Sequence, residues 1–167
     1  WYSKAEDLLQ DADVNAVYIA TPPAYHLPYT IMAAEAGKPV YVEKPMAINV
    51  KECEKMLEVC HKNGVPLYVA YYRRALPRFL KVKQLIDSGA IGEAHSFAIT
   101  LHQPPSEADQ GPHSPWRVDP AIAGGGYFID LATHTLDLID YLFGPITEVH
   151  GLAVNRAGLY AAEDNVT

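Results

Sequence analysis

Apolar positions in this chain follow two different periods, and the change from one to the other marks its organisation. "VNAVYIATPP" is a run rich in Val and Ile that stops at Thr21, Pro22 and Pro23, which predicts a strand buried on both faces. From His26 to Ala36 the residues Leu27, Ile31 and Ala34 recur at helical spacing, and Gly37 stands where a helix C-cap is expected. "PVYVE" predicts a second strand. Asn49 with Glu52 predicts the cap of a helix whose apolar stripe is Val50, Cys53, Leu57 and Cys60, and Gly64 ends it before a third strand in "PLYVAYY". Ser3 with Glu6 forms a capping-box pattern ahead of Leu8 and Leu9, so a short helix opens the chain. Strands alternating with helices through short connections predict an α/β fold with a parallel sheet and right-handed crossovers.

Beyond Tyr72 the rhythm changes, which places a domain boundary there and divides the chain into 1–72 and 73–167. Phe79, Leu80, Lys83 and Ile86 mark a helix to about Ser88, stopped by Gly89. "AHSFAITLHQ" then alternates, with His95, Phe97, Ile99 and Leu101 on one face, as in an antiparallel strand with one solvated side. A loop rich in Pro, Gly and Ser runs from Gln103 to about Ala123 and is long enough to suggest a function. A helix from about Tyr127 to Phe143 comes next, closed by Gly144 and Pro145, and "ITEVHGLAVN" predicts another strand.

Composition narrows the classes. With 167 residues and a formal net charge of -7, the chain can bury a real core and has no clustered Lys and Arg for a phosphate backbone, so nucleic acid is not an expected partner. No apolar run approaches the roughly 20 residues that cross a bilayer, and "WYSKAEDLLQ" lacks both a basic and an apolar leader region, so no membrane partner and a cytoplasmic location are expected. Cys53 and Cys60 are two helical turns apart, too far for a disulfide, and read as small apolar residues of a reducing compartment.

Parallel strands finish on one edge of their sheet, where the ligand crevice of an open α/β sheet lies. The three strands run into "TPPAYH", "EKP" and "YYRR", so Thr21, His26, Glu43, Lys44, Tyr72 and Arg73 converge on one crevice. Singly each has a plainer reading. The prolines can be punctuation, His26 a helix N-terminal residue with a satisfied ring, Glu43 and Lys44 a solvated pair, and Arg73 and Arg74 surface charge. Convergence on one edge is what favours a site.

The helix "GGYFIDLATHTLDLIDYLFG" is apolar almost all round, yet steps of roughly 100° align Asp130, His134, Asp137 and Tyr141 in one stripe. Buried acids and an imidazole are costly unless paired or used. Asp130 and His134, one turn apart, are spaced for a carboxylate to orient an imidazole and raise its basicity, as a general base needs. A buried hydrogen-bonded pair that only fixes packing stands level with that reading. A metal site comes third, because the set of ligands is incomplete, and none is expected. Gly124, Gly125 and Gly126 allow close backbone approach to a ligand or to another element.

Taken together, "VYIATPPAYH", "GKPVYVEKPMA", "GVPLYVAYYRR" and "GGGYFIDLATHTLDLIDYLFG" resemble, in order and spacing, successive signatures of the glucose-fructose oxidoreductase and inositol dehydrogenase family, the Gfo/Idh/MocA-type oxidoreductases. The resemblance covers nearly the whole chain. It implies the remainder of a Rossmann-type parallel sheet followed by the start of an α+β domain with a mostly antiparallel sheet. It further implies hydride transfer between NAD or NADP and a hydroxyl carbon of a sugar or polyol, and a homo-oligomer formed through the C-terminal sheet. Lys44, Asp130 and His134 become the catalytic group, with His134 accepting the hydroxyl proton and Lys44 polarising the same oxygen. Thr21, Pro22, His26, Glu43 and Lys44 become cofactor contacts, and Arg73, Trp116 and Arg117 cofactor or substrate contacts. The loop carrying His102, His113, Trp116 and Arg117 is expected to line the substrate pocket.

No G-x-G-x-x-G occurs in the sequence, although the family's first strand and Gly-rich turn carry one. The chain is therefore expected to be the middle of a longer enzyme. Two other functions fit the same residues: a non-catalytic binding or sensor protein on this fold, and a glycosidase or lyase relative that uses its nicotinamide transiently.

Overall fold

The computed structural model describes residues 1–111 and 115–167. Strands β1 (Val17–Ile19), β2 (Val40–Val42) and β3 (Leu67–Val69) form a parallel sheet in the order β1-β2-β3, with Tyr18, Tyr41 and Tyr68 in register across it. Helices α1 (Ala5–Gln10), α2 (His26–Glu35) and α3 (Val50–Lys62) accompany it. Right-handed crossovers in one direction put α2 and α3 on the same face. There Ile19, Val40 and Val42 bury with Ala33, Ala34, Met56, Val59 and Cys60. Met56 is fully enclosed, and truncating such a side chain to Ala costs about 2–5 kcal/mol.

The expectation of burial on both faces is corrected here. Side chains alternate along a strand, so the face opposite α2 and α3 carries Tyr18, Tyr41 and Tyr68, and all three are exposed. Tyr18 and Tyr41 stack with ring centroids 5.2 Å apart. An apolar run reads the same whether one face or both are covered, because tyrosine serves either environment.

Local signals agree with the structure for most helices. Asn49 Oδ1 accepts from the Glu52 amide at 2.9 Å and caps α3. Gly37 and Gly64 follow α2 and α3 with φ of 69° and 65°. The Ser3 cap is not made: α1 starts after Lys4 without a side-chain cap. After β3 come a 3-10 turn (Tyr72–Ala75), α4 (Pro77–Asp87), α5 (Pro120–Ala123) and α6 (Tyr127–Phe143). Asp119 caps α5, accepting from the Ala121 amide at 3.0 Å.

The start of the expected antiparallel sheet is present. Among the described residues it consists of β4 (Ala153–Val154) and β5 (Asn165–Val166), paired antiparallel, and no strand forms over 94–103. Alternation sets which side chains share a face, but a strand exists only where a neighbour completes its hydrogen-bond ladder. Phe97, Ile99 and Leu101 are consequently exposed.

The glycine triplet resolves its two readings in favour of packing. A Cβ on Gly124, whose φ is +84°, would meet the Ile48 carbonyl oxygen at 2.5 Å, and one on Gly126 would meet that of Glu163 at 2.6 Å. Only glycine lets this turn press against the segment after Pro45. The peptide bond between Lys44 and Pro45 is cis. Among the described residues no helix is long and apolar enough to cross a membrane.

Candidate active site

Lys44 leaves the end of β2 and reaches across to α6, where Nζ donates to Asp130 Oδ1 at 2.6 Å and to the Asp130 carbonyl at 2.8 Å. Both side chains are largely enclosed, at 16% and 18% exposure. Arg117 approaches the same carboxylate from the other side, with Nε 3.5 Å from Oδ2, and its guanidinium lies 4.4 Å from the Trp116 ring centroid. Asp130 is thus bracketed by two cations.

His134 stands one turn further along α6, only 6% exposed, with Tyr71 and Tyr72 edge-on to its ring at 6.0 and 5.3 Å. Burial holds its pKa below the ordinary 6.5, and the Lys44 and Arg73 charges push the same way against Glu43 and Asp130. Asp130 does raise the basicity of His134, as the spacing predicts, but burial and the two cations outweigh it. Spacing of four places two groups on one helix face, but the partner each chooses depends on what packs opposite, and here Asp130 faces lysine and arginine. The outcome is an imidazole that is neutral at neutral pH and free to accept a proton.

Glu43 accepts from the Tyr18 hydroxyl and from the Lys44 amide at 3.1 Å. Donation to a carboxylate pushes the Tyr18 pKa up to about 12. Thr21 follows β1, and its Oγ1 is buried without a hydrogen-bond partner in the protein. Pro22 is extended and leads into a 3-10 turn. His26 lies beneath these loops with no exposed surface. Its Nδ1 is 3.0 and 3.2 Å from the Pro45 and Met46 carbonyls, and its Nε2 is 2.8 Å from that of Thr21. The ring ties the "TPP" and "KPM" loops together and has no free edge for a dinucleotide, which is the plainer of its two readings.

The long loop is anchored rather than loose. Asp109, 3% exposed, accepts from Ser106 N and Oγ at 2.8 Å each and from Tyr127 Oη at 2.7 Å. Burial alone would raise its pKa, but the Tyr127 and Ser106 hydrogen bonds prevail and lower it. His113 lies outside the described residues. A cavity of about 790 Å³ is lined by Phe97, Leu101, Phe128, Leu131, Thr135 and Ile139 among others, on the face of α6 opposite the catalytic stripe. None of Lys44, Asp130 or His134 touches it.

Two contributors escape a reading of the sequence. Glu163 Oε1 accepts from Gly126 N at 2.8 Å and caps α6, and no local pattern announces a partner 37 positions away. Arg74, read as surface charge, chelates Asp137. Two acids three apart on an otherwise apolar helix are a signal that a cation faces them.

A parallel sheet whose carboxyl edge meets a helix bearing Asp130 and His134 defines a Rossmann-type α/β protein. Residues 1–71 match the "Oxidoreductase family, NAD-binding Rossmann fold" and residues 79–167 match the "GFO/IDH/MocA C-terminal domain". The chain belongs to the Gfo/Idh/MocA oxidoreductase family. It is 43% identical over 150 residues to Oxidoreductase P35 of Formosa agariphila, covering 89% of this chain and 47% of that one. It is 37% identical to levoglucosan dehydrogenase of Pseudarthrobacter phenanthrenivorans, covering 87% of this chain and 37% of that one. A solved levoglucosan dehydrogenase, in complex with NADH and levoglucosan, superposes with a TM-score of 0.81 at 30% identity, covering 99% of this chain and 46% of that one. The chain spans under half the length of these relatives.

The residues present fit the nicotinamide side of a dinucleotide. Thr21 Oγ1, after β1, is a buried polar atom without a partner in the protein, and the end of β2 supplies the Lys44 cation.

Proposed function

We propose that this chain forms part of an NAD(P)-dependent oxidoreductase acting on the hydroxyl carbon of a sugar or polyol, with Lys44, Asp130 and His134 as its catalytic group. The observation that carries the reading is the meeting of Lys44, at the end of β2, with Asp130 one turn from a neutral His134. When bound, the nicotinamide supplies the hydride acceptor. His134 takes the proton of the reacting hydroxyl, and its lowered pKa keeps it ready to do so. Lys44 donates a hydrogen bond to the same oxygen and stabilises the charge that develops there. Asp130 holds Lys44 in place. Thr21, Pro22 and Glu43 border the cofactor, with Arg73, Trp116 and Arg117 beside the reacting groups and His26 bracing the loops from below.

We divide the protein at 72/73, supported by the two family matches ending at 71 and starting at 79. Sugar chemistry is supported by levoglucosan in the similar structure. A homo-oligomer is supported by the exposed Phe97, Ile99 and Leu101 in the C-terminal half, and a cytoplasmic location by two free thiols. The test is to incubate the longer enzyme with a panel of sugars and polyols and either NAD or NADP. Formation of reduced nicotinamide with at least one pair is expected, and its absence throughout would overturn the reading.

A further inference from the structure

Arg74 lies in the stretch between residues 71 and 79 that joins the two family segments. Its Nε donates to both Asp137 carboxylate oxygens, at 2.9 and 3.0 Å. Its Nη2 lies 2.6 Å from Asp137 Oδ1 and 3.2 Å from Asp140 Oδ2, and donates to the Asp137 carbonyl at 3.3 Å. The guanidinium carbon stands 5.5 Å from the Tyr141 ring centroid. One side chain thereby grips three residues of α6.

An exposed ion pair contributes about 0–1 kcal/mol and fixes little. This pair differs in two respects. Its geometry is forked, and although the Arg74 side chain is 41% exposed, the Asp137 carboxylate it grips is only 10% exposed. Asp137 is less than one helical turn from His134, and Tyr72, two residues before Arg74, presents its edge to the His134 ring at 5.3 Å. A helix is rigid over one turn, so what fixes Asp137 also fixes His134.

We infer that Arg74 is a positioning residue: it clamps α6 to the segment leaving the parallel sheet and so sets where His134 stands relative to Lys44. The inference builds on the catalytic reading of His134, but the clamp itself is a property of the folded chain. The groups around His134 are Lys44 and Glu43 from the end of β2, Tyr71, Tyr72 and Arg73 from the end of β3, and Asp130 from α6.

The test tracks His134 by NMR through a pH titration of this chain, comparing the parent with the double variant Arg74→Ala, Asp137→Asn. The double variant removes the clamp without leaving an unpaired carboxylate beside the imidazole. Release of α6 should let His134 titrate closer to the ordinary imidazole value, while an unchanged titration in a folded variant overturns the inference. Should the double variant not fold, Arg74→Lys, which offers a point donor in place of a fork, should move the titration part of the way, and no movement there is equally fatal. In the longer enzyme Arg74→Ala should lower kcat by about 10- to 100-fold, since misplacement of a reacting group by an ångström has that scale. Cofactor affinity should stay unchanged, and added guanidinium should restore part of the rate through the open cleft of about 360 Å³ that Arg74 shares with Tyr71, Thr133, Asp137 and Asp140. If the parent enzyme oxidises no sugar, the catalytic reading falls, but the titration still decides the clamp.

Discussion

Lys44 and Asp130 meet at 2.6 Å across 86 positions of sequence, and that contact joins the end of a parallel strand to the helix carrying His134. Replacing Lys44 with Met should leave cofactor binding measurable in the longer enzyme while turnover drops by about 10²–10³, the scale for loss of one donor to a developing oxyanion. Undiminished turnover in a steady-state assay would remove Lys44 from the mechanism.

His134 carries a definite pH signature. Its pKa in the folded chain is lowered, chiefly by burial, whereas the unfolded chain titrates near the ordinary 6.5. Between those two values the unfolded state binds more protons, so stability rises with pH through that window and is lost as pH falls through it. Urea unfolding of the parent should therefore weaken on acidification below 6.5 more than that of His134→Asn. In the longer enzyme the acid limb of kcat should lie below the ordinary imidazole value, and His134→Asn should cost about 10²–10⁴ in rate.

Gly124 is held at a φ of +84° with the Ile48 carbonyl oxygen 2.5 Å from where a Cβ would stand. Left-handed backbone alone costs a non-glycine residue about 1–3 kcal/mol, and the contact adds to it. Gly124→Ala should lower the urea midpoint markedly, whereas Gly37→Ala, equally left-handed but with open space around it, should show only the conformational part.

His26 braces the edge of the site from beneath, with three carbonyl oxygens around its two ring nitrogens. His26→Phe keeps the volume and removes every one of those contacts. Each buried group left unsatisfied costs about 1–3 kcal/mol, so equilibrium unfolding should show a loss at the upper end for a single substitution. A variant as stable as the parent would show that the ring merely fills space.

Much of this architecture is legible before any folding. The triad of strands, the bounds of α6, the Asn49 cap and the convergence of three strand ends follow from side-chain period and chain direction, which are local properties. Lys44 is placed by its strand edge, and Asp130 with His134 by their helix stripe, but that the three form one group is implied only by the family resemblance. The partners within that group are not legible. Asp130 pairs with Lys44 and Arg117, and Arg74 grips Asp137, because the choice among charges on a crowded stripe depends on distances set by packing.

The same division explains the two sheets. Alternation along 94–103 describes a face but supplies no neighbouring strand, so that segment carries no ladder, whereas "VYIA", "VYVE" and "LYVA" find one another through helical crossovers that the chain itself encodes. By itself the sequence determined the order of elements and the edge on which the polar residues gather, because period, caps and turns act over a few residues, while the family was legible through the resemblance of its motifs. Only the tertiary structure decided which charge meets which, that His134 is kept neutral by burial, and that one face of the parallel sheet stands open, because those outcomes depend on contacts between residues far apart in the chain.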